Sequence, residues 1–203
     1  MLQNRVDPFG NIIRTSARGL FMGNRGVLHN ENQEIIRSYK IKTWITCVLA
    51  FKNRRRTVMA PNRYTELFFM DEATSFAAGH RPCFECRKAA AQQFKLLWLQ
   101  GNPDKGLNEK TPIGEIDNIL HTERIDKHHL KVTYEENPQT LPDGTFVNIE
   151  GAPYLLRKGL LYLWSPFGYA TEIHVPEGGK LSVLTPPSIV NAFRAGYVPQ
   201  MAI

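Results

Sequence analysis

DEATSFAAGHRPCFECRKAAAQQF, residues 71–94, decides how the rest of the chain is read. Asp71 stands where a helix N-cap belongs, Ala73, Phe76 and Ala77 make one apolar stripe, and Gly79 is a natural stop. The stretch therefore opens with a short capped helix, because a carboxylate satisfies the first free amides and glycine tolerates the left-handed exit. A longer helix is predicted from about residue 84 to residue 100, since Ala90, Phe94, Leu96 and Leu97 share a face and Gly101 follows directly. That spacing puts Cys83 and Cys86 in the first turn of this helix.

Upstream, KTWITCVLAF (42–51) reads as a buried strand and TVMAPNRYTELFF (57–69) as a second extended piece. Residues 1 to about 42 are rich in glycine and arginine; ARGLFMGNRG (17–26) promises turns, and HNENQEIIRSY (29–39) a short helix. Downstream, a helix is predicted near 112–127, capped by Thr111 with Pro112 at its first position. From His129 the texture changes to short, turn-bounded runs rich in aromatic and branched residues: LKVTYEE, GTFVNI, YLL, LLYLW, GYATEIHV and KLSVL. Such runs predict a small antiparallel sheet or barrel. PPSIVNAFRAG (186–196) closes the chain as a helix, with Thr185 before it and Gly196 at its end. The fold class that follows is α+β: a zinc-stabilised central α/β region within 1–128, then a β-rich region with a C-terminal helix within 129–203.

Composition narrows the chemistry. With 203 residues, 42% of them hydrophobic, the chain can bury a core without disulfide staples. No run of eighteen apolar residues occurs, and MLQNRVDPFGNIIRTSARG lacks the apolar centre of a secretory signal, so a cytoplasmic, membrane-free location is expected. Three cysteines, an odd number, argue for metal-binding or catalytic thiols rather than a disulfide framework.

In RPCFEC (81–86) the two-residue spacer lets both sulfurs face one ion from a tight turn, which suits zinc. A thioredoxin-like redox pair shares the spacing but comes directly off a strand and needs no third thiol. Cys47, in TWITCVLAF, is the remaining thiol and the expected third ligand. His29 is the expected fourth, with His80, a carboxylate or water as the alternatives. In this reading the zinc is structural and ties the arginine-rich N-terminal zone to the central helices.

ELFFMDEATSFAAGHRPCFEC (66–86) resembles the second half of the zinc-binding domain of Ada-type DNA repair proteins, where a similar order of elements leads into the final cysteine pair. The resemblance implies zinc on Cys83 and Cys86 and a nucleic-acid context; the family's upstream cysteine pair is matched here by Cys47 alone. The whole chain also resembles bacterial proteins of unassigned function with a similar Gly-His-Arg-Pro-Cys motif. A second likeness is to zinc-dependent cytidine and adenosine deaminases, which combine His-x-Glu with Pro-Cys-x-x-Cys. HNE (29–31) and PCFEC (82–86) match that pattern, and imply His29, Cys83 and Cys86 as ligands and Glu31 as proton carrier.

The net charge of +6 favours an acidic partner. In FKNRRR (51–56), Lys52, Arg54, Arg55 and Arg56 are the candidate phosphate contacts, so DNA or RNA is the expected partner. EIDNILHTERIDKHH (115–129) is dense in carboxylates and histidines, a pattern usual for a solvated helix face. Trp164, Phe167 and Tyr169 suit core packing better than base stacking.

Overall fold

The computed structural model describes residues 1–54 and 57–203. Its first sheet is built from β1 (Gln3–Val6), β2 (Ile12–Arg14), β3 (Phe21–Asn24), β4 (Ile45–Cys47), β5 (Leu67–Phe69) and β6 (Arg81–Pro82), in the order β2-β1-β5-β3-β4-β6. It is mixed: β1 runs parallel to β5 and β4 parallel to β6. The second sheet is antiparallel throughout, with β7 (Tyr134–Glu136), β8 (Phe146–Ile149), β9 (Ala152–Arg157), β10 (Leu160–Ser165), β11 (Gly168–His174) and β12 (Leu181–Val183) ordered β11-β10-β9-β8-β12-β7. The α-helices are α1 (Glu72–Ala77), α2 (Lys88–Gly101), α3 (Ile113–Arg124) and α4 (Pro187–Arg194), and single 3-10 turns at Pro103–Lys105 and Pro138–Thr140 complete the described elements. The expected α+β class is what the chain adopts, with the C-terminal helix in place.

Asp71 caps α1, accepting the Thr74 N–H at 2.8 Å. The same carboxylate accepts the Thr74 hydroxyl at 2.7 Å, the Tyr169 hydroxyl at 2.7 Å and the Ala202 N–H at 3.0 Å. One cap thus ties the first sheet's helix to the second sheet and to the chain's end. Below it, Met70, Ala73 and Ala77 share a buried cluster with Phe146, Leu155, Trp164 and Leu184. The four helices close over a second cluster around Phe76, Phe94, Trp98, Ile116 and Phe193. Gly101 lets α2 meet α4 closely, because a Cβ there would lie 2.3 Å from the Asn191 carbonyl oxygen.

Several expectations are corrected. HNENQEIIRSY forms no helix; turns and a single bridge between His29 and Ile35 replace it. The glycine-rich N-terminal zone holds three strands, and Gly23 permits β3 because a Cβ would lie 2.2 Å from the Ile45 carbonyl oxygen. Of the piece 57–69 only β5 is strand. Helix α2 begins at Lys88, so both cysteines precede it. Helix α3 starts after Pro112 without a side-chain cap, and the Thr111 hydroxyl accepts the Asn108 N–H instead.

Candidate metal centre

Parallel pairing of β4 with β6 builds the thiol cluster. Thr46 stands opposite Pro82, and the Cys83 N–H donates to the Thr46 carbonyl at 3.0 Å, so the strand ends set Cys47 beside Cys83. The chain then turns tightly, with the Arg87 N–H on the Cys83 carbonyl at 3.0 Å, which returns Cys86 toward the same point. Within that turn the Glu85 N–H donates to the Cys83 sulfur at 3.4 Å. Backbone amides aimed at sulfur stabilise a thiolate, as the amides of a helix start would have done in the expected arrangement.

The three sulfurs lie within 4.8 Å of one another, and all three cysteines are free thiols. A tetrahedral zinc with bonds of about 2.3 Å requires sulfurs roughly 3.8 Å apart. The group therefore needs only a small contraction to hold such an ion. Cys47 and Cys83 are buried, Cys86 partly so. Without a cation the thiols compete for protons. The hydrogen bond from Cys47 pulls Cys83 down to about 5, while that same bond and burial push the Cys47 thiol up. Burial also raises Cys86. Ionising all three sulfurs at this spacing would require a compensating charge, which a divalent ion could supply.

Neither histidine proposed for the fourth position joins the group. His29 is buried, with Nδ1 2.6 Å from the Thr65 hydroxyl and Nε2 3.2 Å from the Ala60 carbonyl oxygen. Because a carbonyl only accepts, Nε2 carries the proton, and Nδ1 accepts from Thr65. His80 is also saturated: Nε2 accepts the Arg25 Nε–H at 2.9 Å, which leaves Nδ1–H for the Ile45 carbonyl at 3.1 Å. Both rings are spent on backbone and side-chain partners, which tie the loop before β5 and the strand β4 in place. Glu31 is exposed and does not line the cavity beside the cysteines.

That cavity, of about 320 Å³, opens against the cluster. Cys47, Cys83 and Cys86 form part of its wall, with Phe51, Phe68 and Glu66 among the other lining residues. Among the described residues no fourth cysteine, histidine or carboxylate completes the group. Glu66 is buried, and one of its oxygens accepts the Met59 N–H at 2.8 Å, holding the carboxylate beside β5. Sequence reasoning missed Glu66; its one signal was a charged residue directly ahead of the apolar run Leu67–Phe69.

Of the basic loop, Lys52 and Arg54 are exposed and stand 5.1 and 5.4 Å from the Phe51 ring centroid; Arg55 and Arg56 lie outside the described residues. Arg54 pairs with Glu85 at 2.6 Å across the cavity's rim. In the segment 115–129, Asp117 is buried and takes both ends of Arg81 at 2.8 and 2.7 Å, and Glu123 accepts the Ser188 hydroxyl at 2.5 Å. The expected solvated face is thus partly structural. Trp164 and Tyr169 bond inward to Thr74 and Asp71, and Phe167 is exposed. Among the described residues no helix is long and apolar enough to cross a membrane.

Comparison with protein-family models, with curated proteins and with solved structures finds no match to this chain.

Proposed function

We propose that Cys47, Cys83 and Cys86 bind one zinc ion whose fourth position faces the cavity, and that the protein is a zinc-dependent enzyme acting hydrolytically on a small ring-bearing substrate. One observation carries this reading: the thiols converge on the wall of a 320 Å³ cavity and are not sealed inside the core. A structural site is closed by four protein ligands, whereas a catalytic one keeps a position open. Zinc held by these three thiols would supply Lewis acidity at the cavity wall and so activate water for attack. Glu66, anchored by Met59, is the buried carboxylate on the same wall and takes and returns the proton. Phe51 and Phe68 offer aromatic surface for a planar substrate, which suits deamination of a nucleobase. Relative to the deaminase pattern expected from the sequence, Cys47 takes the ligand role given to His29, and Glu66 the proton role given to Glu31. The resemblance of residues 66–86 to Ada-type domains then extends to the zinc-binding turn and not to a four-thiolate site. Reduced thiols fit a cytoplasmic setting.

The test is a cobalt-substituted protein and a turnover screen. Cobalt in a three-thiolate site with an exchangeable ligand changes its visible spectrum when azide or cyanide is added, and a closed site does not respond. Ammonia release from free cytosine and adenine compounds is then measured for wild type and Glu66→Gln. Retained metal with activity lost by about 10²-fold or more in Glu66→Gln supports the reading. A spectrum insensitive to added ligands would return the zinc to a structural role.

A second reading, nucleic-acid binding, draws on Lys52 and Arg54 exposed beside Phe51 at the cavity's edge. If phosphates bind there, affinity falls with salt at a logarithmic slope of about 0.9 per contact on duplex DNA, and Lys52→Ala with Arg54→Ala flattens it. Salt-independent binding, or none, removes this reading.

A further inference from the structure

On the other side of β4 and β6 from the thiols, positive charge gathers around Trp44. Arg25 and Arg124 cover its ring, their guanidinium carbons 4.0 and 3.9 Å from the centroid. Arg25 is 1% exposed and Arg124 2%, an unusual depth for two arginines with no salt bridge of their own among the described residues. Their partners are mostly neutral: His80 and the Gly10 carbonyl for Arg25, the Gly79 and Lys42 carbonyls for Arg124. Arg25 Nη2 and Arg124 Nε, both buried, have no partner among the described residues. Lys131 joins them, donating to the Ala77 carbonyl and keeping further N–H donors. All three cations and Trp44 line one cavity of about 300 Å³.

The electrostatics of this cavity are lopsided. Asp7 is the acid that opposes Arg25 and Lys131, and Asp117, which also faces Arg124, is already held by Arg81 at both oxygens. Two guanidiniums and an ammonium that is about half protonated at neutral pH, set against one carboxylate, leave an excess of about one to two positive charges in a partly dry site, which is costly unless an anion enters. The cations feel one another: burial and Arg25 bring Lys131 down to about 7, and burial lowers Arg25 and Arg124 to about 9.

We propose that the cavity walled by Arg25, Trp44, Arg124 and Lys131 binds a small phosphate-bearing anion. A phosphate monoester carries about −1.5 to −2 charges at neutral pH, which covers the upper end of that excess where a single carboxylate would not. Guanidinium groups suit its oxygens geometrically, and Lys131 adds a point charge. Ser38 and His129, joined at 3.2 Å, stand at the same cavity and give polar contacts for the rest of a phosphorylated molecule. Both arginines already lie against the Trp44 ring, so stacking of a base on it is not part of the proposal. The site needs neither the zinc nor the proposed activity.

Isothermal titration of the full chain with inorganic phosphate, glycerol phosphate and a nucleoside monophosphate tests it. Saturable binding of at least one is expected. Lys131→Met, in a partly buried position, should weaken it at least about tenfold, and Lys110→Met on the exposed surface should not change it. Equal affinity for phosphate and the esters marks a site for the ion; tighter binding of an ester marks a phosphorylated metabolite. Arg25→Met and Arg124→Met are informative where they fold; side-chain Nε–H resonances of both arginines in the wild type, shifted by the ligand, give the same answer without a variant. No saturable binding of any probe up to about 10 mM, or binding unchanged in Lys131→Met with unmoved arginine resonances, overturns the proposal.

Discussion

Arg25 Nε donates to His80 Nε2 at 2.9 Å, and His80 stands three residues before Cys83 on the same short segment. The cation cluster and the thiol cluster are therefore two faces of one structural unit, with β4 and β6 between them. The histidine weighed as an alternative to His29 for the fourth ligand instead orients an arginine.

The burial of His80 beside Arg25 makes stability depend on pH. Burial and Arg25 hold His80 well below the usual histidine range, so the folded chain keeps it neutral. Between that value and about 6.5 the unfolded chain binds a proton that the folded chain does not, so acidification favours unfolding. Urea denaturation should show stability falling as pH drops from about 6.5, by up to about 1.4 kcal/mol per pH unit from this residue. His80→Gln, whose carbonyl can still accept from Arg25, should reduce the slope; an unchanged slope assigns the effect elsewhere.

Zinc content checks the thiol cluster. Purified protein should carry about one zinc, and Cys47→Ser, Cys83→Ser or Cys86→Ser should each release it and lower stability by about 2 kcal/mol or more, since metal affinity adds to folding free energy. Cys47→Ser with zinc fully retained would make Cys47 a packing residue.

His29→Ala separates a ligand from a loop anchor. With both ring nitrogens committed to Thr65 and Ala60, the change should cost about 1–3 kcal/mol and leave metal content as in the wild type. Loss of zinc without loss of stability would restore the ligand role. Glu31→Ala, on the exposed surface, should alter neither quantity.

The cap at Asp71 should be costly to remove. Asp71→Ala loses the α1 cap and strands the Tyr169 hydroxyl and the Ala202 N–H, so a loss of about 3 kcal/mol is expected by thermal or chemical denaturation. Tyr169→Phe alone should cost about 1 kcal/mol, and the double change should cost less than the two single changes added together. Full additivity would mean the two side chains act independently.

Local signals determined much of this protein on their own. The Asp71 cap, the apolar stripe of α1, the run of short strands after residue 129 and the paired cysteines were all readable, because cap chemistry, side-chain periodicity and thiol spacing act over a few residues. The buried face of α2 was not, since Ala91, Phe94 and Trp98 face the core where Ala90, Phe94, Leu96 and Leu97 were expected, and Leu96 is exposed. What only the tertiary structure decided depends on partners far along the chain. Cys47 reaches Cys83 through the parallel register of β4 and β6, a pairing that no local pattern encodes. His29 and His80 are kept from the thiol cluster by Thr65, Ala60, Arg25 and Ile45, whose positions are set by the packing of the first sheet. Glu66 and the cations around Trp44 look like ordinary surface charge in one dimension. Burial gives them their chemistry, and burial is a property of the assembled core.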